Sequence, residues 1–288
     1  MNLNKIEHFS KVSIKRMKID RFWHILRTTY GYQSPPRPRF LVENLPGWAT
    51  FTYYSRLVAV VLKESITARK GRYNRKAWAS GSLDVFKVVE AAGGIFHVSG
   101  LSPMTAQQGP LVYIANHMSL IDTLILPCIL LAFNHTTFVV KEGLLKYPLF
   151  GSIMCAVDPI AVTRRSPRED LKTVLTQGQA FLASGRSVFV FPQATRSDTF
   201  DTASFNSLGI KLARKAGVPV LPVALKTDFQ KNGRFIKDLG QVDPRKPLYL
   251  KFGEPLVVEG GGQVTHQKVI EFIVKNLREW GAGIKSGS

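Results

Sequence analysis

The chain has 288 residues, of which 45% are apolar and 20% are charged, and its formal net charge is +19. The apolar fraction is large enough for a sizeable core, so the composition excludes a disordered protein. The charge is concentrated at the start, where residues 1–76 contain 16 lysines and arginines and only 4 acidic residues. A basic segment that also carries aromatic residues indicates an anionic partner, either a nucleic acid or an acidic lipid surface.

Residues 1–30 combine basic and apolar side chains in the way that a basic amphipathic helix at a lipid interface does. The alternative is a partly disordered basic tail. A proline-rich run at 33–39 then excludes a continuous helix. The N-terminus has no compact apolar run followed by a small-residue cleavage site, so we predict no secretory signal. The basic residues include Lys11, Lys15, Arg16, Lys18, Arg21 and Arg27, and the apolar residues include Ile14, Met17, Phe22, Trp23, Ile25 and Leu26.

The longest window without charged residues, 123–140, is interrupted by Pro127 and by the polar run 134–137. Its continuous apolar part is too short to cross a bilayer, so we interpret the window as a core helix, a turn and a strand. Cys128 and Cys155 have no metal-ligand spacing and are predicted to be reduced, buried thiols in a cytosolic compartment.

Two helices are predicted at 48–69 and 77–92, separated by a basic turn that could contact phosphate head groups, and Gly93-Gly94 ends the second. From residue 95 onward, short buried runs alternate with amphipathic segments, which is typical of an α/β sandwich. We expect a central, mostly parallel or mixed sheet flanked by helices. Strands are predicted at 95–100, 111–115, 137–141, 159–163, 187–191, 218–225, 248–252 and 256–258, and helices at 120–133, 170–183, 208–216 and 264–280.

The junction between the strand at 111–115 and the helix after it contains the strongest candidate for chemistry. Ser119 can cap that helix, and Asp122 is the acidic residue that a capping box requires three positions later. His117 lies in the turn just before the helix, where the Asp122 carboxylate can reach its ring. A carboxylate on one ring nitrogen would leave the other free to accept a proton. Taken alone, this spacing is weak evidence for function.

Three further blocks follow in the chain. The four blocks are NHMSLID at 116–122, KEGLLKYPLFG at 141–151 with IAVTR at 160–164, FPQATRS at 191–197, and VPVLPVA at 218–224. In this order they resemble the four motifs of the glycerolipid acyltransferase family, and the resemblance covers roughly residues 94–226. Four ordered blocks are far more specific than any one of them.

The resemblance implies a direct acyl transfer, in which His117 deprotonates the hydroxyl of a lysolipid and Asp122 holds the imidazole. The donor would be acyl-CoA or acyl carrier protein, as a substrate, and no metal or other cofactor is expected. Arg196, with Arg164 and Lys141, would bind anionic groups, although solvated charges at strand ends are common. The predicted substrate-binding residues are Asn116, Ser119, Lys141, Arg164, Gln193, Ala194, Thr195 and Arg196.

Two departures from the family's pattern concern the acceptor. Gln193-Ala194 stands where the family usually has Glu-Gly, and Thr163 replaces the acidic residue that usually precedes the arginine of the second motif. The acceptor that the resemblance implies is 1-acyl-glycerol-3-phosphate, which would give phosphatidate in phospholipid biosynthesis. The alternatives are another lysophospholipid or a lyso-aminolipid, and a membrane scaffold that retains the fold without turnover.

The resemblance also gives the basic N-terminal segment a purpose, because the implied substrates reside in a bilayer. We therefore predict two parts, a basic membrane-interfacial helical segment at 1–76 and an α/β acyltransferase domain at 77–288. The protein is expected to associate with the cytoplasmic face of an anionic membrane. No nucleic-acid-binding signature accompanies the charge, so nucleic acid is not an expected partner.

Overall fold

The computed structural model describes residues 17–35, 47–193, 195–234 and 236–285. The helices are α1 (Ile19–Thr29), α2 (Trp48–Arg69), α3 (Arg75–Ala91), α4 (Ser102–Ala106), α5 (Leu120–Leu130), a 3-10 helix (Glu142–Lys146), α6 (Phe150–Ala156), α7 (Pro167–Ala183), α8 (Leu208–Ala216) and α9 (Gln263–Glu279). The strands are β1 (Tyr32–Gln33), β2 (Phe96–Ser99), β3 (Val112–Ala115), β4 (Thr136–Lys141), β5 (Ile160–Val162), β6 (Ser187–Val190), β7 (Thr199–Asp201), β8 (Val220–Lys226), β9 (Leu248–Phe252) and β10 (Gly283–Lys285).

Eight strands form one mixed sheet in the order β1-β2-β9-β8-β3-β6-β4-β5. The strands from β8 to β5 in this order run parallel to one another, whereas β9 is antiparallel to β8 and β1 is antiparallel to β2. Strands β7 and β10 form a separate parallel pair. The predicted α/β class, with a mixed sheet flanked by helices, is confirmed.

Strand β3 lies in the middle of this sheet and all four of its residues are buried. Its side chains alternate between the two faces. Tyr113 and Ala115 join the core formed with α1, α3 and α5, whereas Val112 and Ile114 join the core formed with α7, α8 and α9. Helices on both faces explain why the strand is a continuous apolar run.

The carboxyl ends of the parallel strands meet at one edge of the sheet, which is where open α/β sheets usually bind ligands. Asn116 follows β3, Lys141 ends β4, and Thr163 follows β5. Phe191 follows β6 and Thr227 follows β8. The fold therefore brings the sequence blocks that follow these strands to a common edge.

Helix α1 is part of the core of the domain. Phe22 and Leu26 are fully buried, and Phe22 packs against Tyr32 and Phe86 with ring centroids 5.4 and 5.5 Å away. Trp23 donates a hydrogen bond to a carbonyl group in the last turn of α5, and Arg27 donates to one just beyond that turn. These donors satisfy carbonyl groups that a helix end leaves free, and the arginine also complements the helix dipole.

The amphipathic helix predicted within residues 1–30 is thus present as α1, with its apolar face packed on the protein. Residues 1–16 and 36–46, which include most of the predicted proline-rich run, lie outside the described residues. The membrane-interfacial role predicted for residues 1–76 stays a prediction for α2, whose exposed face is described below.

The strand predicted at 256–258 is wrong, since Leu256 makes only a single bridge to Val220. Strand β9 pairs with β8 from Val223 to Lys226, so little of β8 remains for another partner. Val257 is accordingly exposed. The short elements β1, α4, α6, β7 and β10 were not predicted because each is too brief to show a periodic pattern.

In the described parts of the chain, no helix combines the length and the apolarity that crossing a membrane requires. The uncharged window at 123–140 forms most of α5, the turn after it and most of β4, as predicted.

We expect Phe22→Ala to lower the free energy of unfolding by about 3–5 kcal/mol, because it empties a site inside an aromatic cluster. Phe51→Ala, on the exposed face of α2, is the matched control and should change it by less than about 0.5 kcal/mol. Urea denaturation followed by circular dichroism measures both. If Phe22→Ala left the main transition unchanged, α1 would be an appendage and not part of this core.

Candidate active site

His117 and Asp122 contact each other as the sequence predicted. The Nδ1 atom of His117 lies 2.9 Å from Oδ2 of Asp122. Ser119 is the N-cap of α5 and forms a capping box with Asp122, which brings the carboxylate back toward the turn that holds the histidine. The side chain of His117 is largely buried, with 12% of it exposed, and Asp122 is fully buried.

The Asp122 carboxylate accepts hydrogen bonds from both ends of the turn. Its Oδ2 atom also accepts from the main-chain N–H groups of Met118 at 2.7 Å and Ser119 at 3.0 Å. Its Oδ1 atom accepts from the hydroxyl of Thr227. An acceptor so placed requires the proton of the neutral imidazole on Nδ1, which leaves Nε2 of His117 as the basic nitrogen.

Thr227 was not predicted from the sequence. It is fully buried just beyond β8, and it accepts a hydrogen bond of 2.9 Å from the Ser119 hydroxyl while donating to Asp122. Its position directly after β8 is the feature of the sequence that could have indicated its role. A hydroxyl residue after β8 lies beside the end of β3 when the two strands are parallel neighbours.

The imidazole of His117 stacks on Phe191, with ring centroids 4.1 Å apart and an angle of 21° between the planes. Burial lowers the pKa of His117, whereas the hydrogen bond and charge of Asp122 oppose this, and the positive charges of Arg196 and Arg164 lower the pKa further. The net direction is downward, so the imidazole is neutral at neutral pH and can accept a proton.

The third sequence block holds the main chain of His117 on both sides. The side-chain oxygen of Gln193 accepts a hydrogen bond of 2.6 Å from the His117 N–H, and the Ser197 N–H donates to the His117 carbonyl at 3.0 Å. Gln193 is buried. A glutamate, the residue that the family usually has here, could accept the same hydrogen bond. The replacement by Gln193 therefore preserves this contact. The substrate contact predicted for Gln193 stays a prediction, and Ala194 lies outside the described residues.

Asn116 and Ser119, both predicted to bind substrate, are buried and use their side chains within the protein. The Asn116 amide donates to the Leu225 carbonyl at 2.7 Å and accepts from the Leu225 N–H at 2.9 Å. The side chain of Asn116 thereby continues the hydrogen bonding between β3 and β8 beyond the end of β3. The Ser119 hydroxyl binds Thr227. Both residues position the turn that carries His117.

Arg164 follows β5 in a left-handed conformation with φ of 60°. Its N–H donates to the Asp170 carboxylate at 2.7 Å, and both the N–H and the hydroxyl of Thr163 donate to the same group. Asp170, from the first turn of α7, thus places an acidic group beside Thr163, where the family's acidic residue is missing. Desolvation lowers the pKa of Arg164 and the positive charge of Arg196 lowers it further, while the negative charge of Asp170 opposes these effects.

Arg196 forms an ion pair with Asp238, a residue of the segment 227–247 between β8 and β9. The neighbouring Lys237 donates hydrogen bonds to the Thr195 hydroxyl at 2.6 Å and to the Arg196 carbonyl at 2.7 Å. Desolvation, and after it the charge of Arg196, lower the pKa of Lys237. No element or role was predicted for this segment from the sequence. Lys141, at the end of β4, is exposed.

The site is therefore a neutral histidine, oriented by a buried carboxylate, next to a cluster of cations. Among the described residues, no group of three or more histidine, cysteine, aspartate or glutamate side chains is arranged to hold a metal ion. The arrangement can remove a proton from a hydroxyl group and can bind an anionic group beside it.

A family model described as "Acyltransferase" matches residues 96–226. The chain is 32% identical over 177 residues to a Pseudomonas aeruginosa protein named "1-acyl-sn-glycerol-3-phosphate acyltransferase", covering 62% of this chain and 64% of that protein. It is 30% identical over 188 residues to a Mycoplasma pneumoniae protein named "Probable 1-acyl-sn-glycerol-3-phosphate acyltransferase", covering 62% of this chain and 69% of that protein.

A chloroplast protein of Arabidopsis thaliana with the same enzyme name is 31% identical over 150 residues, which is 52% of this chain and 39% of that protein. The matched part of the chain thus spans less than two thirds of the Pseudomonas and Arabidopsis proteins. Among solved structures, the acyltransferase PlsC from Thermotoga maritima has a TM-score of 0.58 and 21% identity, covering 80% of this chain and 94% of that one. This likeness supports the α/β fold.

We expect Thr227→Val to raise the pKa of His117. The variant removes a hydrogen bond that competes for the Asp122 carboxylate, so the carboxylate binds the protonated imidazole more strongly. It also leaves the Ser119 hydroxyl without its acceptor, which should cost about 1–3 kcal/mol of stability. Thr227→Ser keeps the hydroxyl and should restore both properties. NMR titration of the His117 ring, compared with wild type, measures the pKa, and an unchanged value in Thr227→Val would contradict the prediction.

Proposed function

This chain belongs to the acyltransferase family, and on that premise we propose that it transfers a fatty acyl group from a thioester donor to the hydroxyl of a lysolipid. The acceptor that we propose is 1-acyl-sn-glycerol-3-phosphate, and the product is phosphatidate. The observation that carries the proposal is the oriented, neutral His117 beside Arg164 and Arg196. The names of the relatives support the same reaction.

In the proposed reaction, Nε2 of His117 takes the proton of the acceptor hydroxyl while the oxygen attacks the thioester carbonyl. The C–O bond forms, the tetrahedral intermediate collapses, and the C–S bond breaks. The protonated imidazole, stabilised by Asp122, then returns its proton to the leaving thiolate. The N-terminus of α5 lies next to His117 and favours the negative charge that develops during the attack.

Arg164 and Arg196 supply the positive charge that the phosphate of the proposed acceptor needs. The positive charge of each arginine also lowers the pKa of His117, which keeps the base neutral. A guanidinium binds a phosphate through two parallel hydrogen bonds, which orients the bound group as well as holding it. A lysolipid held in this way would have its free hydroxyl near the imidazole.

The exposed face of α2 supports membrane association. Large apolar side chains recur at helical spacing along it, and Phe51 and Ile66 are 66% and 53% exposed. Such a row on a helix that also carries basic residues fits an anionic lipid surface. In the segment 227–247, Ile236 and Leu239 are exposed beside Asp238, and Tyr54 of α2 holds that segment. The exposed row on α2 is Trp48, Phe51, Val58, Leu62 and Ile66.

We expect His117→Ala to abolish thiol release from acyl-CoA or acyl carrier protein in the presence of 1-acyl-sn-glycerol-3-phosphate, since the variant lacks the base that takes the hydroxyl proton. A general base contributes roughly 10²–10⁴-fold to a rate. Thiol release is followed with a chromogenic disulfide, and mass spectrometry identifies the acylated product.

Circular dichroism of the variant checks that it remains folded, and His24→Ala, on the exposed side of α1, is the matched control. Wild-type rates in His117→Ala would refute the mechanism. A panel of lysophospholipids and lyso-aminolipids identifies the acceptor, and stronger activity on another member would replace the acceptor proposed here.

The double variant Phe51→Ser and Ile66→Ser should weaken binding to anionic vesicles. It removes about 1.5–3 kcal/mol of apolar burial per side chain if both insert fully. Cosedimentation with vesicles of phosphatidylglycerol and phosphatidylcholine measures the binding, and thiol release with a short-chain acceptor in detergent checks that the site is intact. Unchanged cosedimentation would exclude this face of α2 as the membrane contact.

A further inference from the structure

Two residues of the segment 227–247, Lys237 and Asp238, contact the third sequence block, and the segment lies outside the residues that the family model matches. Through Asp238 it places a carboxylate on the guanidinium of Arg196. The two side chains are 17% and 30% exposed, so the pair is partly shielded from water but remains accessible. It therefore occupies the place where an anionic ligand of Arg196 would bind.

The guanidinium of Arg196 has more N–H donors than its pairing with Asp238 uses. In the part of the chain that the structure describes, the only side-chain hydrogen bond from its guanidinium is the one to Asp238. A guanidinium has further N–H donors in a planar fork, so one carboxylate oxygen leaves most of that fork unused. A phosphate could engage the remaining donors and then take over the one that Asp238 holds.

The position of Asp238 is determined by contacts away from its carboxylate. Its main-chain carbonyl accepts hydrogen bonds from the Tyr54 hydroxyl at 3.1 Å and from the Gln230 side chain at 2.9 Å. Lys237, the residue before Asp238, is held to the third sequence block by its hydrogen bonds to Thr195 and Arg196. Because the main chain is held in this way, the carboxylate can leave Arg196 and return to it while the segment stays in place.

We propose that Asp238 occupies Arg196 as an internal competitor of the acceptor phosphate and thereby sets the affinity of the head-group site. The proposal rests on the function proposed above. A phosphate monoester carries more negative charge than a carboxylate and can bind Arg196 through two hydrogen bonds, with Arg164 and Lys237 nearby, so it displaces Asp238.

A competitor of this kind has a use, because the proposed substrate and product carry the same head group. A site that bound the phosphate very tightly would hold both equally, and tighter ground-state binding alone does not speed the chemical step. When the product leaves, Asp238 recovers its ion pair with Arg196. The carboxylate therefore favours release of phosphatidate as much as it opposes binding of the lysolipid.

Asp238→Asn, which removes the charge at nearly constant shape, tests the proposal. We expect the KM for 1-acyl-sn-glycerol-3-phosphate and the inhibition constant of phosphatidate to fall together by roughly fivefold, with kcat unchanged or lower. The same variant should bind sn-glycerol 3-phosphate and inorganic phosphate more tightly in calorimetry. Comparing these two probes with the lysolipid in vesicles separates recognition of a lipid head group from binding of free phosphate.

Asp243→Asn is the matched control, since Asp243 lies in the same segment and pairs with the exposed Arg245. An equal fall in KM there would mean that net charge alone is responsible and would overturn the proposal. Arg196→Gln combined with Asp238→Asn should behave as Arg196→Gln alone, because the competition requires the guanidinium. A KM that is unchanged or higher in Asp238→Asn would show that Asp238 only orients Arg196, which also overturns it.

The calorimetric readout does not depend on catalysis. If wild type released no thiol with any acceptor while Asp238→Asn bound sn-glycerol 3-phosphate more tightly, the proposed function would fail and the competition would stand. If neither protein bound either phosphate probe, the competition itself would be wrong.

Discussion

The carboxylate of Asp122 is the group on which the geometry of the site depends. It accepts four hydrogen bonds, from the His117 ring, from two main-chain N–H groups of the turn, and from the Thr227 hydroxyl. A buried carboxylate is costly unless its oxygens are satisfied, so this set of donors is what permits it to be there. The same bonds close the first turn of α5 and hold the imidazole. Helix initiation and orientation of the base are therefore one structural feature.

Much of this was predictable from the sequence, for a physical reason. Contacts between His117 and Asp122 are local, and a capping box has a recognisable spacing. The α/β class follows from buried runs that alternate with amphipathic ones, and most helices and longer strands were placed within two or three residues of their observed ends. The blocks that carry Arg164 and Arg196 meet the block of His117 at one edge of the sheet because the strands before them are parallel neighbours. From the sequence, this arrangement was indicated only by the resemblance of the four ordered blocks to a family.

The parts that could not be predicted are contacts between residues distant in sequence. Thr227 and Asp238 come from one connection that has no periodicity or motif, and their meaning depends on β8 lying beside β3. Gln193 was predicted to contact the acceptor and to determine acceptor specificity, because it departs from the family's pattern. The structure shows its oxygen on the main chain of His117, a bond that no single-sequence argument reveals. The burial of Phe22 in the α/β core was not predicted either, because the basic residues around it indicated a helix that faces a lipid surface.

These distant contacts also connect the proposed membrane surface with the head-group site. Tyr54 lies on α2, the helix with the exposed apolar row, and its hydroxyl binds the main-chain carbonyls of Asp238 and Gly240. Gln230 donates to both the Tyr54 hydroxyl and the Asp238 carbonyl, so the helix and the segment 227–247 are joined by one network. The segment is in turn joined to the third sequence block through Lys237, which donates hydrogen bonds to the Thr195 hydroxyl and the Arg196 carbonyl. This hydrogen-bonded link constrains the distance between the apolar face and the cation cluster. For the proposed amphiphilic substrate, that distance determines whether the head group and the acyl chain can be bound at once.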